Sequence, residues 1–187
     1  IGFWPKMLAP YRSQLWQALA WVPQRTHHLL PYDRLFEAAW LYVNPKCERQ
    51  SLLNFRMNVD YNVEAVHLHR KRLLDMFDDE IESEPIHPLR YIAELRRTQM
   101  VISPFGYGEI CHRDFEAILC GATLIKPSMD HLETWPPIFQ DQTTYVPVEW
   151  DWSDLIERVE DLKESRAKRL KIAETAQKQY REYLISD

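Results

Sequence analysis

The sequence predicts an α/β fold with a mainly parallel sheet flanked by helices, and three observations lead to that expectation. From residue 51 onward, short apolar or β-branched runs alternate with stretches of helical periodicity. The chain has only four glycines, and three of them, Gly106, Gly108 and Gly121, fall in one window from Ser103 to Pro127. That window follows an apolar run, Met100-Val101-Ile102, and reads glycine turn, amphipathic segment, glycine, second apolar run, which is strand, turn, helix and strand.

Taken in order, residues 1–50 read as a helical and irregular N-terminal segment rich in tryptophan and proline. Tyr11 to Trp21 and Tyr32 to Trp40 are its helices, and Leu41-Tyr42-Val43 is a short strand stopped by Asn44-Pro45. Trp4, Trp16 and Trp21 read as packing residues, since aromatic rings bury large areas. Leu52 to Val59 is the first strand of the sheet, and Val63 to Phe77 the first helix that flanks it. This helix bears His67, His69, Arg70, Lys71 and Arg72. Two histidines two positions apart point about 200° away from each other on a helix, so they do not share a metal, and the group reads as a solvated basic face. Asp78 to Pro88 is acidic and broken by Pro85 and Pro88, hence a loop, and Leu89 to Arg97 is a short amphipathic helix leading into the strand before the glycine turn. Beyond the central window, Ser128 to Pro137 is a loop, and Thr144 to Val148 is a strand by its β-branched and aromatic content. Leu155 to Tyr183 is helical with a break near Lys163 to Ser165, capped by Asp151 or Ser153 and supported by pairs such as Glu164 and Lys168. The organisation expected is therefore residues 1–50, a sheet domain over 51–162, and a C-terminal helix over 163–187.

Composition narrows the function classes. A net charge of −5 with no basic stripe argues against general nucleic-acid binding, because nothing would neutralise a phosphate backbone. The longest apolar runs fall far short of a membrane span, and no charged-then-apolar leader opens the chain, so the expectation is a cytoplasmic protein. Cys47, Cys111 and Cys120 are odd in number. The last two sit about 13 Å apart on one predicted helix and cannot bridge, which fits a reducing compartment. Ile1 in place of an initiator methionine leaves a processed chain, a fragment and a longer protein all open.

The glycine turn is where chemistry is expected. Glycines let a ligand approach the backbone, and the amides at a helix start favour an anion, so Gly106 and Gly108 outline a phosphate cradle. If the helix runs from Glu109 to Cys120, then Glu109, His112, Arg113 and Glu116 share one face, and Cys111, Phe115, Ile118 and Leu119 share the face toward the core. Taken alone, such a stripe also suits a solvated surface. Arg113 offers a bidentate fork to phosphate. Lys126 ends a strand, where open α/β sheets place ligand groups, and His131 lies in the loop that follows.

These residues resemble a known family. SPFGYGEICHRDFEAILCGATLIKP from Ser103 to Pro127, continued by HLETWP at His131 to Pro136 and TYVPVEWDWSDL at Thr144 to Leu155, resembles the Rossmann-like C-terminal donor-binding domain of GT-B glycosyltransferases. It looks closest to the exostosin-like and spore-maturation-type group, whose shared core is a glycine turn, an arginine, Glu-Ala, a glycine and an apolar strand. Here these are Gly106 and Gly108, Arg113, Glu116-Ala117, Gly121 and Ala122 to Ile125. The resemblance covers about Tyr91 to Leu162. It implies transfer of a sugar from a nucleotide-diphosphate sugar to an unknown acceptor, with 51–162 as the donor-binding domain and a second domain or partner chain facing it.

In that reading Gly106, Gly108, Arg113, Glu116, Lys126 and His131 bind the donor, with Glu116 on the ribose. Glu109, His112 and Arg113 are the catalytic candidates, His131 a further candidate base. No cofactor or metal is expected, since Arg113 and backbone dipoles can stabilise a departing diphosphate. One departure is visible: retaining GT-B enzymes often carry two glutamates eight apart, whereas Glu109 and Glu116 are seven apart, so stereochemistry does not carry over. Two other readings stand beside this one: a non-catalytic nucleotide-binding or interaction module of the same fold, and a phosphate-binding α/β enzyme of another class.

Overall fold

Four strands, β1 (Ser51–Asn54), β2 (Thr98–Ile102), β3 (Thr123–Pro127) and β4 (Val146–Val148), form one sheet in the spatial order β1-β2-β3-β4. All three pairings are parallel, with Leu53 opposite Met100, Val101 opposite Leu124 and Ile125 opposite Val146. This computed structural model describes residues 42–77 and 82–185. The helices expected over Tyr11 to Trp21 and Tyr32 to Trp40, together with Trp4, Trp16, Trp21 and Leu41, lie outside the described residues, and Tyr42 and Val43 belong to no strand.

Five helices accompany the sheet among the described residues: α1 (Glu64–Asp75), α2 (Pro88–Leu95), α3 (His112–Leu119), α4 (Leu155–Glu164) and α5 (Arg166–Ile185). Alternation along the strands assigns them to two faces. Val101 and Leu124 point toward Ile92 and Leu95 of α2, Phe115 and Ile118 of α3, and Ala176 and Tyr180 of α5. Met100, Ile102, Ile125, Val146 and Val148 point the other way, toward Leu73 of α1, Leu155, Val159 and Leu162 of α4, and Ile172 of α5. Covered on both sides, β3 is buried at every position, including Thr123 and Lys126, which is why its sequence does not alternate apolar with polar residues. The fold is thus the Rossmann-like α/β arrangement that the sequence predicts. The C-terminal helix shares its core, with the Tyr180 ring 5.3 Å from that of Phe115.

Several boundaries differ from expectation for local reasons. β1 stops at Asn54 because the Asn54 side chain accepts the Arg56 amide at 3.2 Å and turns the chain out of the ladder. The long final helix does break at Ser165, but the residue before α4 is Asp154. Asp151 instead accepts the Ser153 amide at 3.0 Å within the preceding turn. The break also removes the four-residue spacing that would pair Glu164 with Lys168, and Lys168 pairs with Asp161 at 2.6 Å. Gly121 does cap α3, at φ +66°, and a Cβ there would stand 2.4 Å from the Val43 carbonyl oxygen, so only glycine fits. Cys47, Cys111 and Cys120 are all free. Among the described residues no helix is long and apolar enough to cross a membrane.

Candidate functional site

The carboxyl end of β2 feeds the buried stretch Ser103-Pro104-Phe105 and then the glycine turn, closed by the Gly106 amide donating to the Gly108 carbonyl at 3.1 Å. Phe105 is held from behind by the His69 ring at 5.3 Å, the Trp150 ring at 4.5 Å and the Lys126 ammonium 4.9 Å from its centroid. Neither Gly106 nor Gly108 has a positive φ, and a Cβ at Gly108 would meet nothing within 4 Å. The protein's own packing therefore does not demand glycine at Gly108. What its missing side chain leaves is bare backbone beside a cavity of about 840 Å³.

The helix that follows begins later than the sequence suggests. Cys111 is extended, at φ −116° and ψ 153°, and the carboxylate of Asp114 accepts the Cys111 amide at 2.9 Å, so α3 starts at His112. Glu109 consequently sits in the turn, off the helix, and does not line the cavity. The other members of the predicted stripe do come together: His112, Arg113 and Glu116 line the cavity with Gly106 and Gly108. Lys126 cannot touch a ligand as the sequence reading required. Its side chain is fully buried in β3, and its ammonium lies 3.2 Å from Asp114, beneath the helix start. His131 is exposed with its ring 5.1 Å from that of Trp150, outside the cavity lining.

Two further arginines meet the turn. Arg70 of α1 is buried and donates to the carbonyls of Phe105 and Asn58, both at 2.7 Å. Its guanidinium lies 4.4 Å from the Tyr61 ring centroid and 3.7 Å from where a Gly106 Cβ would stand. Arg113 donates to the carbonyl of Arg56. No carboxylate lies within ion-pair distance of Arg70 or Arg113 among the described residues. Burial pulls the Arg70 pKa down, and the nearby Arg113 pulls it further. Arg56, the third arginine of the lining, differs. It grips Glu94 through two hydrogen bonds, at 2.7 and 3.0 Å, and also pairs with Glu82, so its charge is answered and its pKa is raised, chiefly by Glu94.

Arg70 is a buried cation held by carbonyls and the Tyr61 ring, Arg113 is a half-buried one, and a nearby anion is what would offset their unanswered charge. The site can therefore take a phosphate-bearing ligand at the turn, with Glu116 one helical turn further along. The hydroxyl of Tyr91, whose pKa burial raises, lies beside Arg113 and Glu116. Sequence reasoning placed Arg70 on a solvated face. The signal it missed is that Val66, Arg70 and Leu73 recur at helical spacing, which sets the arginine on the buried stripe of α1. No group of three histidine, cysteine or acidic residues suited to a metal occurs among the described residues.

Comparison with known proteins bears on this site. A family model described as glycosyl transferase-like matches residues 64–185, a span that runs from α1 to α5 and includes the glycine turn. No curated protein matches the chain.

Proposed function

The chain belongs to the glycosyl transferase-like family, and we propose that it is the donor-binding part of a GT-B glycosyltransferase of the exostosin-like or spore-maturation-type group. The donor is a nucleotide-diphosphate sugar. The observation that supports this most is the convergence of Arg70 and Arg113, neither paired with a carboxylate among the described residues, on a bare glycine turn.

In this reading the diphosphate lies against Gly106 and Gly108, with the two guanidinia and the first amides of α3 facing its charge. Glu116 accepts from the ribose hydroxyls. The bond between the anomeric carbon and the phosphate oxygen breaks, its electron pair leaving with the diphosphate, while an acceptor oxygen bonds to that carbon and gives up its proton. In this reading His112, which is exposed at the cavity wall, takes that proton. Positive charge preorganised where the leaving group develops its negative charge lowers the barrier without a metal. Tyr107 and Trp135, both strongly exposed at the cavity rim, give a facing domain or chain a surface to close against. Three free cysteines support a reducing, cytoplasmic setting.

Calorimetric titration with a panel of nucleoside diphosphates, their sugars and the bare nucleosides tests the reading. Arg113→Ala loses about 1.5–3 kcal/mol toward the best diphosphate and leaves the nucleoside nearly unchanged. Equal weakening of both ligands, or no nucleotide binding by the wild type, overturns the assignment.

A further inference from the structure

A second cavity, of about 500 Å³, opens at the opposite end of the sheet, where β2 and β3 begin. Gln99 near the start of β2 and Thr123 at the start of β3 form part of its wall, and its charged lining is Lys46, Arg49, Arg166 and Arg169 against a single acid, Glu48. Lys46 is engaged by Glu174 at 2.8 Å. The three arginines have no carboxylate within ion-pair distance among the described residues. Arg49 donates to the Thr98 and Cys120 carbonyls, both at 2.7 Å, and Arg169 to the Leu162 carbonyl, which fixes both forks in place. Arg166, exposed, is the first residue of α5, so the positive end of a 20-residue helix adds to the same spot. Burial lowers the pKa of Arg49 and of Arg169, and neighbouring Arg166 lowers that of Arg169 again.

A chain of net charge −5 thus gathers three unpaired guanidinia around one polar cavity. Fixed planar forks of this kind match phosphate oxygens. The volume lies within the range of small-molecule sites and is far larger than a phosphate ion needs. We propose that this cavity binds the phosphate group of a small phosphate monoester, or free phosphate by the same chemistry. It is separate from the glycine-turn cleft: Gln99 and Gly106 stand seven residues apart across β2 and its exit, roughly 20 Å at strand spacing.

Amide NMR of the full chain, titrated with inorganic phosphate and separately with glucose 6-phosphate, tests this. The amides of Gln99, Gly121 and Thr123 shift saturably with at least one probe, and the tighter probe identifies the source. Arg166→Ala, an exposed change that leaves the fold intact, weakens that binding about tenfold, as expected for one lost charged hydrogen bond. Arg113→Ala, in the other cavity, leaves it unchanged. Shifts that grow without saturating, that survive Arg166→Ala at full affinity, or that vanish in Arg113→Ala overturn the proposal.

Discussion

Lys126 and Asp114 form an ion pair at 3.2 Å with neither side chain exposed to solvent, and the same Asp114 oxygen accepts the Cys111 amide that starts α3. The pair thus ties the helix start, and with it Arg113, to β3, an inner strand of the sheet. Lys126→Met leaves a buried carboxylate with one neutral donor and destabilises by about 3–5 kcal/mol. Adding Asp114→Asn removes the stranded charge while keeping an acceptor for Cys111, so the double variant is more stable than Lys126→Met alone. Chemical denaturation of the two variants decides it, and an additive loss would show that the residues do not act as a pair.

His69 gives the stability a pH dependence. Burial between Phe105 and Trp152 pushes its pKa down to about 4, against a backbone hydrogen bond at Trp150, with Arg70, Lys126 and Arg72 lowering it further. The unfolded chain therefore binds this proton more readily than the folded one between its ordinary pKa and about 4. The stability is whole above the ordinary value and is lost as pH falls through that window. The residue as a whole is half-buried, so the loss is about 1–2 kcal/mol rather than the full value of the shift. His69→Phe keeps the stacking and flattens this part of the stability profile. An unchanged slope in the variant would assign the acid sensitivity to other groups.

The two kinds of glycine separate binding from folding. Gly121→Ala strains a positive φ and drives a Cβ into the Val43 carbonyl, so its melting temperature falls by the equivalent of at least about 1–2 kcal/mol. Gly108→Ala meets open space and stays within about 0.5 kcal/mol of wild type. Its nucleoside-diphosphate affinity nevertheless drops, because the added methyl stands between ligand and backbone. A Gly108→Ala protein with unaltered affinity would remove the turn from the binding account.

What could be read in advance was what local patterns encode. The run from β2 through α3 to β3 showed itself because glycines are so scarce elsewhere, and Gly121 occupies the left-handed cap that a helix end calls for. A break near Lys163 to Ser165 was expected too, and it falls at Ser165. Tertiary partners were not. Lys126 reads as a strand-end ligand until Asp114, twelve positions earlier, is brought beneath it by the α3 turn. Glu109 reads as helical until Asp114 caps Cys111. Arg70 was hidden among the histidines and cations of α1, although its spacing from Val66 and Leu73 placed it on the buried stripe. Arg56 gave no signal, since its fixation by Glu94 spans 38 positions.

The most direct test of the donor reading concerns Glu116, about 6 Å along α3 from His112 and on the same cavity wall. Wild type and Glu116→Gln are each titrated with the best ribonucleoside diphosphate and with its 2′,3′-dideoxy counterpart. If Glu116 accepts from the ribose, the wild type prefers the ribonucleotide by about 1–3 kcal/mol and the variant loses most of that preference. The account predicts a coupling energy of about 1 kcal/mol or more between the carboxylate and the hydroxyls. A coupling energy near zero would contradict it and leave the cleft a generic phosphate site.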